Sequence, residues 1–256
     1  MRQPIVFVTD FGRDDAYAAS LTGAAMRVDP HSICVEGTHG VGAGDVLAGA
    51  YHLKALARAF TGGAVLCAVI DPGVGTTRRA IAIKAGRLRC VAPDNGLVSY
   101  LWNETDPEDR WAISLDIPPG TSPTFHGRDV FAPAAAELAS KDGFDVAGDL
   151  IDDPVLLPAA FAERRGNAVH GVVAVVDHFG NAITTIRAEN LGDARVRTVS
   201  WPAGSCEGLV TTYAEVTTTV GALIGSAGHL EVAGNGVAVE TVGGPQVGDA
   251  VVVELA

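Results

Sequence analysis

Short apolar runs that stop at polar turns recur along the first half of this chain. The run AVLCAVI at residues 64–70 predicts a buried strand, because it is short, contains Val and Ile, and ends in turn residues. Asp71 stands at its end. Pro72, Gly73 and Gly75 follow and impose a tight turn, Pro by fixing one torsion and Gly by permitting positive ones. Arg78 and Arg79 come next, and AIAIK resumes as strand. Similar runs at 5–9, 33–35, 88–92 and 111–115 predict further strands. Between them, residues 16–28 have helical spacing, with Asp14 and Asp15 placed to favour the N-terminus. Residues 44–60 put Val46, Leu47, Ala50, Leu53, Leu56 and Ala57 on one helical face. A short helix over 97–102 and a longer one over about 129–139 complete this half.

The pattern changes after residue 145. Residues 152–167 carry Pro154, Pro158, charges and Gly166 and read as a linker. Beyond it, β-branched runs separated by turn signals predict strands at 171–177, 182–186, 196–201, 209–216, 230–232, 236–241 and 250–255. No amphipathic helix is evident there. The expected architecture is an α/β N-terminal domain (1–155) with a mostly parallel central sheet, followed by a smaller all-β, barrel-like C-terminal domain (168–256).

At 256 residues the chain is long enough for a sizeable core, and 48% of its residues are hydrophobic. No apolar run approaches the ~20 residues of a membrane span, and the N-terminus lacks the pattern of a signal peptide. A cytoplasmic protein is therefore expected. The formal net charge of −12, without a basic cluster beyond paired arginines, argues against nucleic-acid binding. Cys34, Cys67, Cys90 and Cys206 are widely spaced, which points to reduced thiols rather than a zinc site or disulfide framework. The first three sit in strand-like runs and Cys206 in a turn-like GSCEG.

Four polar strand-end turns, TDFGRDD, IDPGVGTTRR, PDNG and FHGRD, are expected to converge on one cleft. Each taken alone is compatible with an ordinary turn. DFG occurs without the other kinase signatures, the Gly73–Gly75 pattern is not a phosphate loop, and no GxSxG elbow is present. His31, His52 and His170 have no metal-ligand spacing around them. His126 precedes a helix, a position that lowers an imidazole pKa and leaves it neutral. In the second half, VVDHFGNAITTI gathers Asp177, Phe179 and Asn181 in one turn, a set suited to an amino acid or a base and equally to a plain hairpin. Ser226 lies in a Gly-rich loop that exposes backbone amides.

These motifs, in this order, resemble the S-adenosylmethionine (SAM) hydroxide adenosyltransferases, or SAM hydrolases, whose halide-using relatives are the fluorinases and chlorinases. The matching stretches are VTDFG, THG, DVLAGAYHL, IDPGVGTTRR, APDNGL, PTFHGRDVFAP, VDHFGN and GSAGHLEVA…GDAVVVEL, which span residues 6–255. The resemblance implies a water-handling set of Asp71, Arg78 and His126, with Arg79 the other candidate arginine. It implies that Asp10 holds the ribose hydroxyls. Asp177 and Asn181 would lie near the methionine amino group and the adenine pocket, with Phe179 an apolar wall and Ser226 near the methionine carboxylate. Asp94 and Asn95 complete the expected substrate-binding set. The chain departs from the family pattern at Glu36-Gly37, usually an Asp-Ile pair, and at His178, usually Arg.

The resemblance further implies a homotrimer with SAM bound between the α/β domain of one subunit and the β-domain of its neighbour, and hydrolysis to adenosine and methionine with no metal or separate cofactor. Halide-using relatives carry Tyr where Asp71 stands and lack the His, so hydrolysis is expected over halide transfer. The other readings are a SAM-binding protein without turnover and, more weakly, a methyltransferase, for which the glycine-rich loop is absent.

Overall fold

A computed structural model describes residues 2–140, 144 and 146–256. The chain divides into two compact units, Met1–Leu157 and Pro158–Ala256. The first contains β1 (Ile5–Thr9), α1 (Tyr17–Val28), β2 (Cys34–Thr38), α2 (Val46–Ala59), β3 (Val65–Val69), β4 (Ala80–Ala85), β5 (Leu88–Pro93), α3 (Ser99–Glu104), β6 (Arg110–Leu115), α4 (Ala132–Ser140) and β7 (Gly148–Ile151).

The sheet order is β2-β1-β3-β5-β4-β6-β7. The β2-β1, β1-β3 and β3-β5 pairs are parallel, and the remaining pairs are antiparallel. Five of the seven strands thus point the same way, as the alternating strand and helix pattern predicted. The central strands are buried on both faces, so their side chains form continuous apolar runs. Alternate residues serve opposite faces: Ile5, Phe7, Cys67 and Val69 pack with Leu21 of α1 and Leu138 of α4, while α2 packs over β1 and β3 and against α3. Between α2 and α3, the buried Lys54 reaches Glu104 Oε1 at 2.8 Å and lies over the Tyr100 ring.

Asp45 caps α2, its carboxylate accepting from the Ala48 amide (2.9 Å). The helix expected from residue 129 starts differently. A single π turn, Gly127–Phe131, leads into α4, with His126 as its N-terminal flanking residue. Strand β7 was not anticipated; its burial pattern is largely exposed, so it lacks the apolar run that marks the inner strands.

The second unit contains β8 (Glu163–Arg165), β9 (Ala168–Val176), β10 (Ala182–Arg187), α5 (Ala188–Leu191), β11 (Val196–Trp201), β12 (Gly204–Glu207), β13 (Val220–Ile224), β14 (His229–Gly234) and β15 (Ala250–Leu255). They form one antiparallel sheet, β12-β11-β15-β9-β10-β14-β13, with β8 added on β9. Its edge strands β12 and β13 touch, so the sheet nearly closes around Val173, Ile186, Val199, Leu230, Val232, Val251 and Val253. This is the expected barrel-like architecture.

Two expected strands are absent. Residues 209–216 form bends and a 3₁₀ turn at Tyr213–Glu215, and residues 236–241 run into another 3₁₀ turn at Val239–Val242. Residues 209–215 bury no side chain, so their β-branched composition has no face to fix in a ladder. The strands form instead at β12, where Cys206 lies, and at β13. The expected linker holds a 3₁₀ turn at Pro158–Ala160 and strand β8. All four cysteines are free, and burial raises the thiol pKa of Cys67 and Cys90.

Candidate active site

Strand β1 lies between β2 and β3, so the chain leaves it toward one side and returns on the other. The crevice outside the carboxyl ends of β1 and β3 is therefore a topological switch point, where open α/β sheets bind ligands. Asp10 follows β1 and Asp71 follows β3. Both line a cavity of about 320 Å³, together with Phe11, Gly44, Pro72, Val74, Phe125 and His126.

Three of the expected residues meet there. Arg78 Nε donates to Asp71 Oδ1 at 3.0 Å, and Arg78 Nη2 donates to Asp71 Oδ2. The same Nη2 lies 2.9 Å from His126 Nδ1. The Arg78 and Asp71 side chains are 9% and 5% exposed, and His126 is 5% exposed. This is a nearly buried, forked charge pair extended by an imidazole. The guanidinium also stands 5.3 Å from the centre of the buried Phe131 ring, a cation–π contact that limits its motion.

The hydrogen-bond pattern sets the imidazole's state. A guanidinium only donates, so His126 Nδ1 accepts, and the single proton of the neutral ring sits on Nε2. Burial lowers the His126 pKa, and the adjacent Arg78 charge lowers it further against the opposing pull of Asp71 and Asp129. Both causes keep the ring neutral at pH 7.

The turn that carries Asp71 and Arg78 depends on Gly75. Its φ is +76°, and a Cβ there would lie 2.4 Å from the Pro123 carbonyl oxygen. Only glycine lets this turn approach the loop that delivers His126. Arg79, the neighbouring candidate, turns elsewhere. It donates to Asp94 Oδ2 (2.6 Å) and to Asp153 Oδ1 (2.7 Å), and those bonds raise its pKa.

Asp94 and Asn95 do not line the cavity. Asp94 is 6% exposed; besides Arg79 it accepts the Val155 amide at 2.7 Å, which ties residues 153–155 to the end of β5. Asn95 Nδ2 donates to the Ile70 carbonyl at 2.9 Å, which steadies the backbone just before Asp71. Their visible work is structural support of the turns.

Asp10 Oδ2 accepts the Gly44 amide at 2.8 Å, which holds this carboxylate at the cavity wall. Phe11, Tyr17 and Phe125 stack edge to face with ring centres 5.5–6.0 Å apart. Phe11 and Phe125 carry no polar group that marks a site in the sequence; their only signal there is adjacency to Asp10 and His126.

The second unit carries the other expected group. Asp177 Oδ1 accepts the amides of Phe179 (2.9 Å) and Asn181 (2.8 Å), and Oδ2 accepts Asn181 Nδ2 (3.1 Å). This self-bonded turn leaves Phe179 78% exposed. Ser226 is exposed on a separate loop, and Glu231 beneath accepts from the Tyr213 hydroxyl at 2.7 Å. Among the described residues no group of three or more His, Cys, Asp or Glu could hold a metal ion.

An α/β unit with a carboxylate–guanidinium–imidazole cluster at its switch point, followed by a β-barrel-like unit, defines a narrow class of two-domain proteins. Residues 5–148 match the SAM hydroxide adenosyltransferase N-terminal domain and residues 171–252 match the C-terminal domain. The chain belongs to the SAM hydroxide adenosyltransferase family. A Thermus thermophilus protein named (R)-S-adenosyl-L-methionine hydrolase is 39% identical over 243 residues, covering 91% of this chain and 92% of that protein. A fluorinase of Actinopolyspora mzabensis is more distant, 27% identical over 76% of this chain and 75% of its own. The crystal structure of an uncharacterized conserved protein from Thermotoga maritima superposes with a TM-score of 0.85 at 28% identity, covering 97% of this chain and 99% of that one.

Proposed function

We propose that this protein hydrolyses S-adenosyl-L-methionine to adenosine and L-methionine. The observation that carries this reading is the Asp71–Arg78–His126 chain of hydrogen bonds beside a cavity that also holds Asp10. The sulfonium makes C5′ electrophilic and methionine a good leaving group. Water attacks C5′, the C5′–S bond breaks with its electron pair going to sulfur, and one proton is released. Asp71 has acceptor capacity beyond its two bonds to Arg78 and takes the hydrogen bond, then the proton, of the attacking water. His126 has its Nδ1 engaged by Arg78, so its Nε2–H donates to and orients the water oxygen. Arg78 holds both groups in register and supplies fixed positive charge. No metal or separate cofactor enters the scheme. A carboxylate at the nucleophile position repels a halide, which favours water over the fluorinase type of chemistry.

Asp10 binds the ribose hydroxyls in this reading. Asp177, Phe179, Asn181 and Ser226 contact the methionine and adenine ends from a neighbouring subunit of a homotrimer in the cytoplasm. Sedimentation analysis tests the trimer: a monomer would remove the shared site. Among the described residues no helix is long and apolar enough to cross a membrane.

The direct test incubates the protein with the (R) and (S) sulfonium epimers of SAM in ¹⁸O-water, with and without chloride. Equal amounts of methionine and adenosine, labelled at the 5′-hydroxyl, are expected. SAM left intact in both epimeric forms, S-adenosylhomocysteine or a chlorinated nucleoside would each overturn the assignment.

A further inference from the structure

The THG motif at the end of β2 has no place in the scheme above, yet its histidine is one of the most deeply buried polar groups of the first unit. His39 is 2% exposed and Thr9 is fully buried. His39 Nδ1 and Thr9 Oγ1 are 2.8 Å apart, and Thr9 Oγ1 also accepts the Phe11 amide at 3.2 Å. The Thr9 hydroxyl therefore joins the imidazole to the Phe11 amide, and the tautomer of His39 sets which of Nδ1 and Oγ1 donates. The His39 carbonyl takes the Gly12 amide at 2.8 Å, and the Thr9 carbonyl takes the Val41 amide at 3.3 Å. Asp10 lies between these tethers on both sides, and the Gly44 amide holds one of its carboxylate oxygens.

A β-bulge brings His39 to this position. Phe7 pairs with Glu36, but Val8 pairs with Thr38, so Gly37 is the extra residue. A side chain there would meet Leu56 Cδ1 at 2.8 Å and the Phe7 carbonyl oxygen at 2.9 Å. Bulges beside functional sites re-aim the residues that follow them. Here Gly37, where the family pattern departs, permits a close approach of β2 to β1 and α2.

We propose that His39 is a positioning residue: through the Thr9 hydroxyl it sets the loop that aims Asp10 at the ribose of the adenosyl substrate. The inference rests on the hydrolase reading for the identity of the ribose. The alternative is that the pair merely stabilises the sheet.

Thr9→Val removes the hydroxyl at nearly constant volume, His39→Leu removes its imidazole partner, and Thr9→Ser retains the network. Each is compared with the parent on SAM and on its 2′,3′-dideoxy analogue, in which Asp10 has no hydroxyl to hold. Thr9→Val and His39→Leu are expected to lower kcat/KM on SAM about tenfold, mainly through KM, as loss of a charge-assisted hydrogen bond would. On the dideoxy analogue the loss is about twofold or less, and Thr9→Ser behaves as the parent. Equal losses on the two substrates, or no loss on SAM, overturn the proposal. Amide hydrogen exchange supplies a readout that needs no substrate and no active variant. Thr9→Val is expected to speed exchange at Phe11 and Gly12 about tenfold or more, and unchanged protection there also overturns it. A parent that leaves SAM intact while Thr9→Val still loosens these amides defeats the hydrolase reading and leaves the tether itself standing.

Discussion

Arg78→Lys separates charge from geometry at the centre of the site. The ammonium of lysine reaches the position of the arginine Cζ, about one C–N bond (~1.3 Å) short of Nη2. The 2.9 Å approach to His126 Nδ1 then opens beyond hydrogen-bonding range, and the Nε bond to Asp71, 3.0 Å in the parent, has no counterpart. One positive charge remains close to Asp71, so no buried carboxylate is stranded and folding stability changes by about 1 kcal/mol or less. A hydrogen bond to a charged group contributes about 1.5–3 kcal/mol, equivalent to about 10- to 150-fold in rate. With two such bonds weakened and one ion pair retained, kcat is expected to fall about 100-fold, with KM for SAM changing about threefold or less. Adenosine release followed by chromatography gives both constants, and a urea titration checks stability. Nitrogen NMR of the His126 ring is expected to show a proton on Nε2 alone in the parent and a tautomer mixture in the variant. A kcat within about threefold of the parent, in a folded variant, would refute the claim that the fork organises the site.

Asp71→Asn keeps the size of the side chain but removes the acceptor charge. Hydrolysis should fall by about 10²–10⁴, and chloride should inhibit the variant more than the parent; equal chloride sensitivity would sink the repulsion argument. Gly75→Ala forces a Cβ toward the Pro123 carbonyl at φ +76°. It should cost about 1–3 kcal/mol and reduce activity, whereas Gly73→Ala, whose Cβ has its nearest neighbour at 3.4 Å, should cost less. The order of the two melting temperatures tests this. Burial is the leading cause that lowers the pKa values of His39, His52 and His126. The unfolded chain protonates these rings near 6.5, the folded protein only at lower pH. In that window the unfolded state binds more protons, so stability falls as pH drops from about 6.5 toward the depressed values. Urea midpoints at several pH values should show the decline, and a flat profile would contradict it. The acid limb of the activity profile should likewise lie below 6.5, where His126 remains neutral.

Local pattern alone was sufficient where an apolar run meets a turn. The limits of β1, β11 and β15 follow directly from their residues, as do the two-unit architecture and the mixture of parallel strands and covering helices in the first unit. Pattern failed in the second unit at residues 209–216 and 236–241. β-branched composition is common to strands and to exposed connections, and only the pairing of an almost closed sheet selects between them. The site divides in the same way. Asp71 and Arg78 lie seven residues apart on one Gly-rich turn, so their proximity was legible in the chain. His126 is 48 residues beyond Arg78, and residues so far apart are neighbours only because β3 and the π turn before α4 meet at one end of the sheet. The choice between Arg78 and Arg79 was also tertiary. The two neighbouring side chains meet different partners, Asp71 and His126 for Arg78, Asp94 and Asp153 for Arg79, and that division is decided by packing that no local stretch of sequence contains.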